Sequence, residues 1–194
     1  MLTTLEDYRI RHAQYRLDPD LQAAHASAPL LCVPDDHEVV FNMAGDHGAN
    51  GNNSPKTFLR RRAAAYQAYY EHLPLRRGSM PRGPSMQLYR RLAYGDLASL
   101  SLLDTRQYRT PQVDGAAFQP NGSHAHGPAR TLTGPAQERW LLDGLASSSS
   151  RWNVIAQQVY VAAIDLEPGA GSRLQHRQVG RLPRGPRPDH PLPA

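Results

Sequence analysis

Three short apolar runs constrain the fold more than any other feature of the sequence: Leu30-Leu31-Cys32-Val33, Leu97 to Leu103, and Trp152 to Val161. Each is bounded by turn-forming residues and is apolar enough to read as a strand buried inside a sheet. Helical periodicity lies between them. Leu5, Tyr8, His12 and Tyr15 recur at helical spacing behind Thr3 and Thr4, which can cap, and Asp18-Pro19 interrupts before a short helix around Leu21 to Ser27. Ser54-Pro55 supplies a cap and a first-turn proline for the longest helix, whose stripe is Leu59, Tyr66, Tyr70 and Leu73 and which Pro74 stops. On that helix Arg60-Arg61-Arg62 reads as a solvated face. A further helix is predicted from about Pro135 to Ala146. Strands alternating with helices predict an α/β fold.

The length of 194 residues allows one domain with a real core and excludes a disulfide-stapled miniprotein. With 17 Pro and 15 Gly, long loops are expected, at Gly45 to Asn53, Arg77 to Pro84 and Thr110 to Gly134. The single cysteine, Cys32, can form no internal disulfide. The sequence shows neither a transmembrane run nor, from Met1 to Arg9, a signal-peptide start, so it reads as soluble with no address of its own. The formal charge of +5 raises nucleic acid as a partner, but much of it sits after Arg173, where five Arg face one Asp. Residues 1–172 are nearly neutral, which argues against nucleic acid for the body.

The densest chemical cluster is Asp35-Asp36-His37-Glu38, directly after the first apolar run. Loops at the carboxyl ends of strands are where α/β sheets bind ligands. There a carboxylate can bridge hard cations and a histidine can protonate a leaving oxygen. The alternative is a polar turn with an Asp cap and solvated His and Glu. In a second cluster, Leu103 to Arg109, Arg106 and Arg109 can hold a phosphate through their guanidinium forks, or Asp104 and Arg106 can form a structural pair holding a loop. His124 and His126 alternate in a loop and are either solvated or metal-binding.

Taken in order and with their flanks, these segments make the chain resemble the PhoD-like alkaline phosphatases of the calcineurin-like metallophosphoesterase group. The resemblance covers about residues 3–172. It runs through Leu5-Glu6-Asp7-Tyr8-Arg9 with Tyr15-Arg16, the Ala28-Pro29 to Val39 block, Ala64 to Pro74, Leu88-Tyr89-Arg90-Arg91, Leu103 to Arg109, Gln137 to Leu141, and Trp152-Asn153-Val154 to Gln158. Seven segments in family order are a specific signal. The resemblance implies metal-dependent hydrolysis of phosphate esters in an α/β/β/α sandwich, with iron and calcium as the metals. It implies Asp36 as a metal ligand, Asp35 as a second candidate ligand and His37 facing the leaving group; Arg106, on its guanidinium chemistry, joins His37 as a candidate catalytic residue. Pro34 stands where the family has Trp, and Val40-Phe41-Asn42 where it often has Asp-Asn-Asn.

Several family segments have no counterpart. These are an N-terminal β domain, a Gly-Asp-Tyr ligand stretch, and, after the Trp152 strand, Trp-Asp-Gly-Tyr and Gly-Asp-x-His segments. The expectation is therefore the central part of a metallophosphatase domain over residues 1–172, truncated at both ends. Such a chain would be inactive alone, with apolar surface and strand edges opened at Leu97 to Leu103 and Trp152 to Val161. From Arg173 on, Arg and Pro make up ten of 22 residues, which predicts a disordered tail. Permissible codons for Arg173 to His190, read one nucleotide later, can spell the absent Trp-Asp-Gly-Tyr segment, which points to a frameshift. The rival reading is a non-enzymatic remnant whose basic tail binds nucleic acid or acidic surfaces. The parent family is usually exported, and nothing in this sequence fixes a compartment.

Overall fold

The computed structural model describes residues 1–48, 54–111, 119–120, 129–159 and 173–174. The chain opens with α1 (Leu5–Arg16), begun by a reciprocal box in which Asp7 N–H donates to Thr4 and Thr4 N–H donates to the Asp7 carboxylate. After an Asp18 cap, α2 (Pro19–Ser27) follows, and the long α3 (Pro55–His72) starts from a Ser54 cap with proline in its first turn. The strands β1 (Arg90–Tyr94) and β2 (Ala98–Leu102) form an antiparallel hairpin, with Arg90 opposite Leu102 and Tyr94 opposite Ala98. The two-residue β3 (Gln119–Pro120) comes next, then α4 (Gly134–Ala146), β4 (Trp152–Ala156) and the two-residue β5 (Arg173–Leu174).

The sheet order is β1-β2-β4, and β4 runs parallel to β2, from Ala98 opposite Trp152 to Leu102 opposite Ala156. Parallel neighbours need a crossover, and α4 lies within it, giving the β-α-β unit that makes the chain α/β. Gly144 of α4 makes room for the crossing, since a Cβ there would lie 1.8 Å from Nη1 of Arg91. The Arg91 guanidinium instead sits 4.5 Å from the Trp140 ring centroid and donates to the Trp140 carbonyl.

Helices α1 and α3 pack together over the principal core, which gathers Tyr8, Val39, Met43, Phe58, Ala65, Tyr66, Ala68, Tyr69, Met86 and Leu88. The buried face of α3 is rotated from the predicted stripe: Phe58, Arg62, Ala65, Tyr66, Ala68 and Tyr69 are buried, while Leu59, Tyr70 and Leu73 are half-buried. The small Ala65 and Ala68 let α3 lie close to its neighbours, so the close-packed face is not the most hydrophobic one.

Two of the three apolar runs depart from expectation. Leu30 to Val33 is not a strand, and Leu31 is exposed. Pro29 and Pro34 flank the run and remove backbone donors at both ends, and Arg90 Nη2 takes up the Cys32 carbonyl at 2.9 Å in place of a strand neighbour. In the described part of the third run Trp152–Ala156 is strand, and among the described residues it is the sheet edge, with Trp152 64% exposed and Val154 and Ile155 also exposed. The middle run does form β2, the central strand, which leads straight into the Leu103 to Arg109 segment. Leu174 pairs with Gln119 and Arg173 with Pro120. The tail beyond Leu174, His124 and His126, and Tyr160 to Val161 lie outside the described residues. Among the described residues no helix is long and apolar enough to cross a membrane.

Candidate active site

Asp36 closes a tight turn, its carbonyl accepting the N–H groups of Val39 (3.1 Å) and Val40 (2.8 Å). The turn is pinned from α1 by the buried Tyr8, whose hydroxyl donates to the Val39 carbonyl at 2.5 Å and accepts from Arg61 Nε at 2.9 Å. Glu38 folds back to accept the Asp35 N–H at 2.8 Å, and burial raises its carboxyl above the ordinary range. Asn42, in the left-handed region at φ 54°, donates its N–H to Asp36 Oδ2 at 2.6 Å. That conformation is tolerated by Asn. It turns the backbone back towards the carboxylate that it fixes.

The second cluster approaches from the carboxyl end of β2. Asp104, fully buried, accepts the Arg106 N–H (3.0 Å), the Gln107 N–H (2.9 Å) and Gln107 Nε2 (2.8 Å). Gln137 of α4 clamps the same residue by accepting its N–H and donating to its carbonyl, both at 2.8 Å. Burial raises the Asp104 carboxyl, against the pull of these donors. Asp104 thus shapes the loop through the backbone of Arg106, not through its side chain.

The Arg106 guanidinium, itself buried, reaches across to the first cluster. Its Nε lies 2.5 Å from Asp35 Oδ1 and its Nη2 3.2 Å from Asp36 Oδ1. One cation therefore gathers two adjacent carboxylates on a fixed backbone. His37 stands beside them, its Nε2 3.8 Å from Asp36 Oδ2, its side chain 73% exposed and its ring against Phe41 at 5.5 Å. The arrangement offers a positively backed pair of hard oxygen donors next to an accessible imidazole. Arg109 is buried too, and burial together with the Arg106 charge pushes it down to about 10.

All four sequence-predicted site residues, Asp35, Asp36, His37 and Arg106, thus meet in one place. Both bland readings are partly true as well: Asp36 does organise a turn, and Asp104 does hold a loop. Sequence reasoning missed Arg62. It was read as solvated, yet it is 6% exposed and donates to the carbonyls of Pro84 (2.7 Å) and Gly45 (2.6 Å). Gly45 in turn donates to the Arg106 carbonyl at 2.9 Å, and at φ +58° a Cβ on it would lie 3.1 Å from the Arg109 carbonyl. The signal available was position: Arg62 falls four residues after Phe58 and four before Tyr66, on the apolar stripe.

The carboxylate oxygens of Asp35 and Asp36 are hard donors of the kind calcium and other hard cations take. The neighbouring Asn42 Nδ2 is buried and without a hydrogen-bond partner among the described residues. The donor chemistry fits a metal in part. Among the described residues no three metal-ligating side chains converge.

Comparisons with known proteins agree with one another. The model of the PhoD-like phosphatases matches residues 1–182. The chain is 53% identical over 161 residues to alkaline phosphatase D of Bacillus subtilis (strain 168), covering 83% of this chain and 27% of that protein. A solved structure of PhoD superposes with a TM-score of 0.88 at 48% identity, over 91% of this chain and 34% of that one. The chain therefore spans about a quarter to a third of the length of the relatives that it matches.

Proposed function

The chain belongs to the PhoD-like phosphatase family, and from that premise we propose that its residues serve metal-dependent hydrolysis of phosphate mono- and diesters. The observation that carries the reading is the convergence of Asp35 and Asp36 on the buried Arg106 beside an accessible His37. In this reading Asp36, with Asp35, supplies oxygen ligands to iron or calcium. Bound metal would make a nucleophile of water near neutral pH and polarise the phosphoryl oxygens. Asn42 N–H fixes which Asp36 oxygen is engaged, leaving the other lone pairs directed by Arg106. His37, accessible and angled by Phe41, gives a proton to the departing alkoxide from its ring nitrogen. Arg106 sets the two carboxylates and is placed to meet phosphoryl oxygens when a metal takes over its hold on them.

Two metals need ligands from several loops, and the described residues bring two carboxylates together. The chain alone is accordingly proposed to hydrolyse an aryl phosphate ester at background in iron and calcium. Chelator-sensitive turnover by the 194-residue chain would overturn that part. The roles are tested in a chimera of the Bacillus relative carrying residues 1–159 of this chain. Asp36→Asn should lower metal content and rate together, whereas His37→Ala should lower the rate about 10²–10⁴-fold with metal content unchanged. Equal metal content in both variants would contradict the division of labour.

A further inference from the structure

A cleft of about 630 Å³ opens between the loop residues 77–87 and the 107–108 segment. Its lining includes Arg77, Arg82, Ser85, Met80, Met86 and Tyr108, and neither Asp35, Asp36 nor His37 is among its walls. Among the described residues no carboxylate lines it. Both arginines are exposed, and neither guanidinium group has a hydrogen bond or ion pair to any described residue. This sets them apart from Arg62, Arg90, Arg91 and Arg106, whose guanidinium groups are all engaged.

The walls are built, not incidental. Arg77 sits in a single 3₁₀ turn closed by Met80 N–H to the Arg77 carbonyl at 3.1 Å. Arg82 and Ser85 exchange backbone hydrogen bonds at 2.8 and 3.3 Å across a turn in which Gly83 takes φ +62°. The buried Arg62 holds that turn through the Pro84 carbonyl. Gln107 fixes the floor with a two-way pairing to the Met86 backbone, its Oε1 accepting at 3.0 Å and its Nε2 donating at 2.9 Å. Tyr108 packs its ring edge-on to Tyr89 at 5.8 Å, and burial followed by the nearby Asp104 pushes its hydroxyl up to about 12, so it remains a donor.

We propose that this cleft binds a phosphorylated organic molecule, with the phosphate on Arg77 and Arg82 and the organic part against Met80, Met86 and Tyr108. The lining brings two guanidinium forks and the hydroxyl-bearing Ser85 and Tyr108 to one cleft, a set of several donors that suits the tetrahedral oxygens of a phosphate better than the flat pair of a carboxylate. The volume is in the range of small-molecule sites and too large for inorganic phosphate alone. The apolar walls give the remaining space a reason. Such a ligand is either a substrate of the family reaction or a separate effector, and the two share this chemistry.

The test is calorimetric titration of the 194-residue chain in chelator, so that metal at Asp36 cannot contribute, with phenylphosphonate, inorganic phosphate and phenol as probes. Phenylphosphonate should bind most tightly, phosphate about tenfold more weakly, and phenol not measurably. Arg77→Gln/Arg82→Gln should weaken phenylphosphonate at least tenfold with the far-UV spectrum unchanged, since neither side chain holds the fold. Arg60→Gln/Arg139→Gln, which removes two exposed arginines elsewhere, should leave it unchanged. Equal weakening by the two pairs would reduce the effect to net charge and overturn the proposal. Loss of binding in Asp36→Asn with retention in Arg77→Gln/Arg82→Gln would also overturn it, by moving the ligand to the acidic turn. In the chimera described above, competition between phenylphosphonate and an aryl phosphate ester assigns the source: competitive inhibition relieved by Arg77→Gln/Arg82→Gln marks a substrate subsite, and a non-competitive change in rate relieved by the same pair marks an effector site. No change in rate at concentrations that fill the cleft would overturn both sources.

Discussion

Replacing Arg62 by methionine keeps most of the aliphatic stem and its packing on α3 while deleting the guanidinium. Two hydrogen bonds disappear, at 2.7 Å to Pro84 O and 2.6 Å to Gly45 O. Each leaves a carbonyl that must find another donor, at about 1–3 kcal/mol apiece if none is available. Gly45 and Pro84 are only half-buried, so water reaches part of the way, and removing a buried cation returns some desolvation cost. The net loss is about 3 kcal/mol, or a fall in melting temperature of about 6–12 °C for a chain of this size. Arg62→Lys can serve one carbonyl at a time and should lose roughly half as much. Thermal unfolding at low protein concentration measures this. Amide exchange adds a local readout, because Gly45 N–H to Arg106 O and the Arg82–Ser85 pair both depend on the loops Arg62 ties. A melting temperature within about 1 °C of the parent, with exchange at Gly45 and Ser85 unchanged, would refute the claim that Arg62 joins these two loops.

His12 stacks on His72 at 5.1 Å, and burial, then the charges of His72 and Arg16, lower its pKa. The unfolded chain therefore binds the proton more readily, so stability is full above the ordinary histidine value of about 6.5 and falls as pH drops below it towards the lowered folded value. Melting temperatures recorded from pH 8 to 5 should decline less steeply in His12→Phe, and an unchanged slope would count against the assignment. Gly144→Ala gains about 1 kcal/mol of helix propensity but drives Arg91 off Trp140, a contact of about 0.5–1 kcal/mol at a partly exposed site. The melting temperature should stay within about 2 °C while Trp140 emission shifts; a large loss of stability would mean that Arg91 cannot move. Val154→Lys on the exposed edge strand should reduce self-association in light scattering with the helical signal intact, and undiminished association would locate the sticky surface elsewhere.

The helices were legible because their ends carry local chemistry: Ser54-Pro55 caps α3 as the sequence predicts, Thr4 of the two candidate threonines caps α1, and Asp18, read as an interruption, caps α2. The α/β class followed from β2, α4 and β4 in that order. Strand burial was less legible, because an apolar run does not say how many neighbours it will have. Leu30 to Val33 has the composition of a strand and two prolines that forbid the pairing, while β4 is apolar and lies at the edge. β1 was missed as a strand because Arg90 and Arg91 break its apolar pattern. The acidic turn and Arg106 were found as separate clusters, 71 residues apart for Asp35 and Arg106. Only the fold could show that the arginine pairs with the acids and that Asp104 shapes its backbone.

Arg62 belongs to a wider pattern that the net charge conceals. A chain rich in proline and glycine loops has many carbonyls outside helices and sheets, and each needs a donor. Arginine brings five N–H groups in a rigid fork and keeps its charge when buried, which lysine does less well. This sequence has a single lysine, and its arginines are used accordingly: Arg16 donates to the His72 carbonyl, Arg62 to Gly45 and Pro84, Arg90 to Cys32 and Leu88, and Arg91 to Trp140. Arg106 does the same work on the Asp35 and Asp36 carboxylates. A guanidinium placed in this way is consumed inside the molecule, so the number of arginines in the nearly neutral body says little about partners. An exposed guanidinium alone carries no information either, as Arg60 and Arg139 illustrate; a shared cleft does. Arg77 and Arg82, set in hydrogen-bonded turns around one cleft with no acid among its described lining, stand out against the buried set as groups available to something the chain does not itself supply.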